Sequence, residues 1–200
     1  MDYSIENMIY ERMKKAKRGS VFFTSDFVAY GNSKACNKAL ERLAKQEKIM
    51  RAGRGIYVIP QKSKFFGRVS PGIEEVARGI ARRDKARIIP TGLFAENILG
   101  LSTQVPMKIV YLTDGTPRKL CIDNTTLIFK KTSPKNLATW GKISCLVIQA
   151  LKSIRKERVT DSEIEKVITI LKTENPVYLT NDIKHAPAWI REIMRKALIK

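Results

Sequence analysis

Over residues 1–60 the spacing of apolar side chains switches repeatedly between helical and extended periods, and this succession constrains the fold more than any other feature. Ile5, Met8, Ile9 and Met13 recur at helical spacing behind Ser4, a suitable N-cap, which predicts an amphipathic helix over 4–17 ended by Arg18-Gly19. The run VFF at 21–23 is long enough only for a small strand. Thr24, Ser25 and Asp26 offer caps for a brief second helix carrying Phe27 and Val28 inward. Gly31-Asn32 then breaks the chain. Ser33 caps a longer helix, over roughly 33–47, whose inward stripe is Cys36, Ala39, Leu40, Leu43 and Ala44. A strand at 48–52, a tight turn at Gly53-Arg54 and a strand at 55–59 close the series, with Ile56 and Val58 facing inward. Pro60 stops the last strand because it has no N–H to give to a ladder, and Gly53 and Gly55 permit positive φ in the turn.

Helix, small strand, short helix, turn, long helix, two-stranded hairpin is the order of a winged helix-turn-helix, whose second helix enters the major groove. The long helix carries Lys34, Asn37, Lys38, Glu41, Arg42 and Lys45 on its outer face. Base edges are met mostly by N-terminal residues of such a helix, which selects Ser33, Lys34, Asn37 and Lys38. Asn37 suits adenine, the lysines suit guanine or phosphate, and Arg42 and Lys45 fall where backbone contacts are made. Arg51 and Arg54 stand at the hairpin tip, where a wing lies along phosphates or in the minor groove. A charged helix face is ordinarily just solvated; its place in this element order gives it a use.

Charge points the same way. The chain of 200 residues holds 38 Lys and Arg against 19 Asp and Glu, a net +19 that suits a polyanionic partner, double-stranded DNA first. A solvated basic surface or attraction to anionic lipid would also produce it. No stretch approaches the roughly 18 apolar residues of a membrane span, and the N-terminus lacks the basic-then-apolar order of a secretory signal. Cys36, Cys121 and Cys145 are odd in number and widely spaced, so they read as reduced, buried thiols of a cytoplasmic protein. With the lone His185 they offer no zinc-ligand pattern, and neither metal, cofactor nor disulfide is expected.

QKSKFFGRVS at 61–70 is polar and basic apart from Phe65-Phe66, which are expected to dock on a neighbouring domain. The predicted organisation is therefore a DNA-binding domain at 1–62, a linker at 63–70 and a second domain at 71–200. That second domain reads as a helix at 72–85, a short strand at 86–92 and a helix at 93–101. Three strand-like runs follow at 107–113, 118–123 and 125–132, separated by the turn signals Asp114-Gly115 and Asp123-Asn124. They suggest an antiparallel meander. A strongly apolar helix at 143–154 and amphipathic helices at 161–173 and 187–199 complete an α+β fold, a small antiparallel sheet flanked by helices.

Catalytic signatures are scarce. No P-loop, G-x-S-x-G or H-E-x-x-H is present. Asp182-x-Lys184 matches half of a metal-dependent nuclease pattern without an acidic partner strand, Glu74-Glu75 complements a helix dipole, and Asp114 and Asp123 serve turns. A non-enzyme is expected. Residues 130–142 stand out by holding Lys130, Lys131, Lys135, Trp140 and Lys142 in a loop-like stretch. This segment suits a second nucleic-acid contact or a protein-docking patch anchored on Trp140; equally, Trp140 fits a core position at a sheet–helix junction.

RGIYVIP (54–60), RIIPTG (87–92), NILGLSTQVPMKIVYLTDG (97–115) and FKKTSPKN (129–136), in that order behind a basic winged helix, resemble the antitoxins of the type IV abortive-infection toxin–antitoxin systems. The likeness is to their short bacterial branch, long described only as a domain of unknown function. It spans nearly the whole chain; RGxYxxP is shared widely, STQVPMKIVYLTDG more narrowly. The resemblance implies a transcriptional autorepressor that binds inverted repeats at its own promoter, with a second domain (71–200) opposing a nucleotidyltransferase toxin encoded next door. It assigns DNA contact to Lys34, Asn37, Lys38, Arg51 and Arg54. Two other classes fit the residues: a stand-alone regulator with a ligand- or protein-binding second domain, and a nucleic-acid-processing enzyme targeted by the winged helix.

Overall fold

The computed structural model describes residues 4–16, 20–63, 67–69, 71–122 and 124–199. Arg18-Gly19, Phe65-Phe66 and Asp123, singled out above, lie outside them. The fold is mixed α and β. Contacts gather it into two compact units, Met1–Arg83 with Leu120–Asn124, and Asp84–Lys119 with Thr125–Lys200.

In the first unit, helix α1 (Ile5–Lys15) begins where the Ser4 hydroxyl accepts from the Asn7 N–H at 3.3 Å. Strand β1 (Val21–Phe23) leads into a 3-10 helix over Thr24–Tyr30. Three residues per turn line Phe27 up with Tyr30, their rings stacked at 6.4 Å, and turn Val28 out to 60% exposure. Val28 therefore does not face inward as expected from an α-helical spacing. Helix α2 (Ser33–Lys45) is capped by Asn32, one residue before the predicted Ser33: its Oδ1 accepts from the Ala35 N–H at 2.8 Å. Cys36, Ala39, Leu40 and Leu43 are buried as the stripe requires.

Strands β2 (Met50–Gly53) and β3 (Ile56–Val58) form the hairpin, and the sheet order β1-β3-β2 makes β3 central. Register decides the faces. Phe22 lies opposite Tyr57, and both join a core with Ile9, Met13, Phe27, Leu40 and Leu43. Val21 and Phe23 lie opposite Val58 and Ile56 and so point the other way. After the short antiparallel pair β4 (Gln61–Ser63) and β5 (Gly67–Val69), helix α3 (Ile73–Asp84) packs on that second face. A methyl on Gly79 would lie 2.9 Å from Val21 Cβ, and the Arg83 guanidinium sits 4.0 Å from the Phe23 ring centre. Ile56, Tyr57 and Val58 are thus all buried, and the helix read as opening the second domain completes the first unit. The predicted linker carries a strand pair.

The second unit contains β6 (Ile88–Thr91), α4 (Leu93–Ile98), β7 (Lys108–Thr113) and β9 (Thr125–Lys131), while β8 (Arg118–Ile122) is divided, its residues 120–122 counting with the first unit. The four-stranded sheet has the order β6-β7-β9-β8, with β6 antiparallel and β9 parallel to β7. The expected antiparallel meander is therefore corrected to a mixed sheet. Leu127 and Phe129 give β9 buried side chains, which suits an interior place. Arg118, Lys119 and an exposed Cys121 suit β8 to the edge. Cys36 and Cys145 are buried; Cys121 is not.

Helices α5 (Lys142–Ile154), α6 (Asp161–Leu171), α7 (Pro176–Asp182) and α8 (Ala188–Lys196) close around Val147, Leu151, Val167, Leu171, Leu179 and Ile190. Thr160 and Glu163 form a capping box at the start of α6. Helix α7 lay unread in the sequence, yet Pro176 is its first residue and Asn175 Oδ1 accepts from the Val177 N–H at 2.9 Å. Among the described residues no helix is long and apolar enough to cross a membrane.

Candidate nucleic-acid interface

Helix α2 is held at both ends. Its stripe sits on α1, the Gln46 amide just past its C-terminus donates to Glu6 at 3.0 Å, and Asn32 closes its start. Its other face is thereby left outward: Ser33, Lys34, Asn37, Lys38, Arg42 and Lys45 are all exposed, with Glu41 among them. Among the described residues none of the four cations makes an ion pair. Asn37 is oriented by a residue that the sequence offers only as a helix cap. Thr24, at the start of the 3-10 helix, donates to Asn37 Oδ1 at 2.9 Å. The amide nitrogen and the second lone pair of Oδ1 remain for another partner.

The hairpin differs in detail from its sequence reading. Gly53 pairs with Ile56, so the loop is Arg54-Gly55, one residue later than expected. Gly55 alone of the two glycines has positive φ, +70°. Ala52 is the extra residue of a bulge between Arg51 and Gly53. Arg54 is exposed in the loop, but Arg51 is not at the tip. It lies opposite Tyr57 along β2. Burial raises the Tyr57 phenol pKa, which Arg51 partly offsets and Glu41 reinforces, so both side chains act on one hydroxyl. The structure thus groups Arg51 with the α2 face and leaves Arg54 as the outermost cation of the hairpin.

The segment 130–142 splits. Lys130 and Lys131 line an open cavity of about 450 Å³ together with Lys152 of α5. Lys135 lies near enough to help depress the Lys152 pKa, which burial chiefly lowers and Cys145 opposes. Lys142 starts α5, ten residues before Lys152, or about 15 Å along the axis. Trp140 is 61% exposed and meets Tyr178 edge-on at 6.2 Å, so the core position considered for it is not the one it takes.

Residues 8–179 match, as one span, the profile of DUF6088, a family of unknown function. The chain belongs to DUF6088. No curated protein matches it.

One further polar cluster of this DUF6088 protein is fully employed in structure. Asp182 is completely buried. Its Oδ1 accepts from the Trp140 N–H at 2.8 Å and Asn181 Nδ2 at 3.3 Å, and its Oδ2 from the Gly141 N–H at 2.7 Å and the Ser144 hydroxyl at 2.5 Å. Glu174 Oε2 takes the Ile143 and Ser144 N–H groups at 2.8 and 3.2 Å. Two carboxylates therefore satisfy the orphan donors at the start of α5, where the N-cap Gly141 has no side chain to do so. A Cβ on Gly141 would collide with Ser144 Oγ and Glu174 Oε2. Four donors fill the acceptor sites of Asp182, so it has none left for a metal ion. Among the described residues no group of three or more His, Cys, Asp or Glu is placed to hold one.

Proposed function

We propose that this DUF6088 protein is a DNA-binding transcriptional autorepressor and antitoxin. Residues 1–62 act as a winged helix-turn-helix on inverted repeats in its own promoter, and 71–200 oppose a nucleotidyltransferase toxin encoded beside it. The observation that carries the first half is the row of exposed cations without ion partners among the described residues, Lys34, Lys38, Arg42 and Lys45, on a helix followed by a hairpin bearing Arg51 and Arg54. Cations left unneutralised on one rigid face gain most from phosphates, whose bound counterions they release. Ser33, Lys34, Asn37 and Lys38 enter the major groove, with the Asn37 amide pre-aimed by Thr24. Arg42 and Lys45 meet the backbone, Arg54 reaches the flanking phosphates or minor groove, and Arg51 supports it from β2. The proposal assigns no catalytic step and a cytoplasmic place of work. The antitoxin half is supported by the resemblance of 54–60, 87–92, 97–115 and 129–136 to such antitoxins.

Fluorescence anisotropy with duplex DNA from immediately upstream of the gene tests the first half. Saturable binding, displaced poorly by unrelated duplex, is expected; equal affinity for both duplexes overturns the repressor. The cavity at Lys130 and Lys152 favours a second reading, a stand-alone regulator with a ligand-binding second unit. The adjacent open reading frame separates the two: a nucleotidyltransferase-like product supports the antitoxin, its absence the regulator.

A further inference from the structure

The cavity in the second unit has an unusual inventory. Lys130, Lys131 and Lys152 line it, and no carboxylate does. Among the described residues none of the three makes an ion pair. All three side chains are exposed, and ammonium groups gathered without a counter-charge repel one another.

The neutral polar groups add to this bias. Thr91 donates to Gln149 Oε1 at 3.2 Å, which occupies an acceptor and leaves the Gln149 Nε2 donors without a hydrogen bond among the described residues. Asn136 Nδ2 donates to Thr132 Oγ1 at 2.8 Å, which leaves the threonine O–H to donate elsewhere. Gln149 is 5% exposed, so its donors sit on a fixed support, and Thr132 is half-buried. The lining is thus built to donate, and it wants a ligand rich in acceptors and negative charge.

Position agrees with that chemistry. Strands β7 and β9 run parallel, and Leu112 and Lys130 face each other near their carboxyl ends. Ligands of sheets with parallel strands bind beyond those ends. Helix α5 supplies Gln149 and, nearly one turn later, Lys152 on the same side. A volume of about 450 Å³ falls in the range of small-ligand sites.

We propose that this cavity binds the polyphosphate group of a small molecule of nucleotide size, its oxygens held by Lys130 and Lys152 and oriented by Gln149 and Thr132. The site rests on the ligand-binding reading of the second unit and does not need the first unit to bind DNA.

Isothermal titration of the full chain with inorganic pyrophosphate, ATP and adenosine tests it, with DNA binding measured separately on the same samples. Pyrophosphate and ATP are expected to bind saturably and adenosine not at all. Lys130→Gln/Lys152→Gln is expected to weaken ATP by roughly tenfold or more, and the single change Lys131→Gln, on the other face of β9, by less. Gln149→Glu, which keeps the shape and adds a negative charge, is expected to abolish binding. The proposal is overturned if neither phosphate probe binds at millimolar concentration, if adenosine binds as well as ATP, or if the double variant binds ATP like the parent. It also fails if that variant loses DNA affinity while ATP binding is unchanged, which would make the lysines part of a DNA surface. A parent chain that binds ATP but not the upstream duplex counts against the repressor and not against this site.

Discussion

Two clusters of chemically capable side chains, one on α2 and one at the start of α5, look alike in sequence and differ completely in what they have left to give. At α5 the carboxylates of Asp182 and Glu174 are committed to seven donors among the described residues. On α2 the cations Lys34, Lys38, Arg42 and Lys45 have no ion partner among the described residues. A titratable residue is a candidate for function only after its internal hydrogen bonds have been counted. Asp182 fails that count and the α2 face passes it.

The largest expected effect breaks the α5 side of the contrast. Asp182→Ala strands the Trp140 and Gly141 N–H groups and the Ser144 hydroxyl, and should cost at least about 3 kcal/mol of stability, read by urea denaturation. A variant as stable as the parent would return Asp182 to the pool of functional candidates. Gly141→Ala comes next, with a loss of about 1–3 kcal/mol, because its methyl meets Ser144 and Glu174 in a filled space.

A smaller effect is expected from pH. Burial raises the pKa of Cys145 and of Tyr57, so the fold keeps protons that the unfolded chain gives up. Stability is therefore fully present below the ordinary values, about 8.5 for a thiol and 10 for a phenol, and falls as pH rises past them. Lys152, lowered by burial, works in the opposite sense. Comparing urea midpoints at neutral and alkaline pH checks the net fall, and Tyr57→Phe should flatten its upper part. The smallest effect is one of order: a thiol reagent should label exposed Cys121 before buried Cys36 or Cys145.

The same accounting explains what the sequence could and could not disclose. The α2 stripe was readable because Cys36, Ala39, Leu40 and Leu43 follow one helical face, and that period survives in any environment. Its partner Thr24 was not, because a hydrogen bond from a residue thirteen positions away leaves no local pattern. The hairpin was readable from its glycines, but the bulge at Ala52 moved the loop by one residue and took Arg51 off the tip. Helix α3 showed an apolar face without showing what would cover it, so a domain boundary was drawn ahead of it. Strand pairing in the second unit failed for a related reason: turn signals at Asp114-Gly115 say that the chain reverses, not which strand it returns beside. Of the cavity, Lys130 and Lys131 stand out in sequence as part of a basic segment, whereas Gln149 and Lys152 of α5 join them only through the fold.

The most direct test of the central claim pairs folding with DNA affinity in Lys38→Ala/Arg54→Ala. Both side chains are exposed and make no ion pair among the described residues, so stability should stay within about 0.5 kcal/mol of the parent. Affinity for the upstream duplex should drop by roughly tenfold or more, and the slope of log affinity against log salt should become shallower by about two, one for each phosphate contact removed. A double variant that folds like the parent and binds that duplex with the same affinity and the same salt slope would contradict the assignment of α2 and its hairpin as the DNA-reading surface.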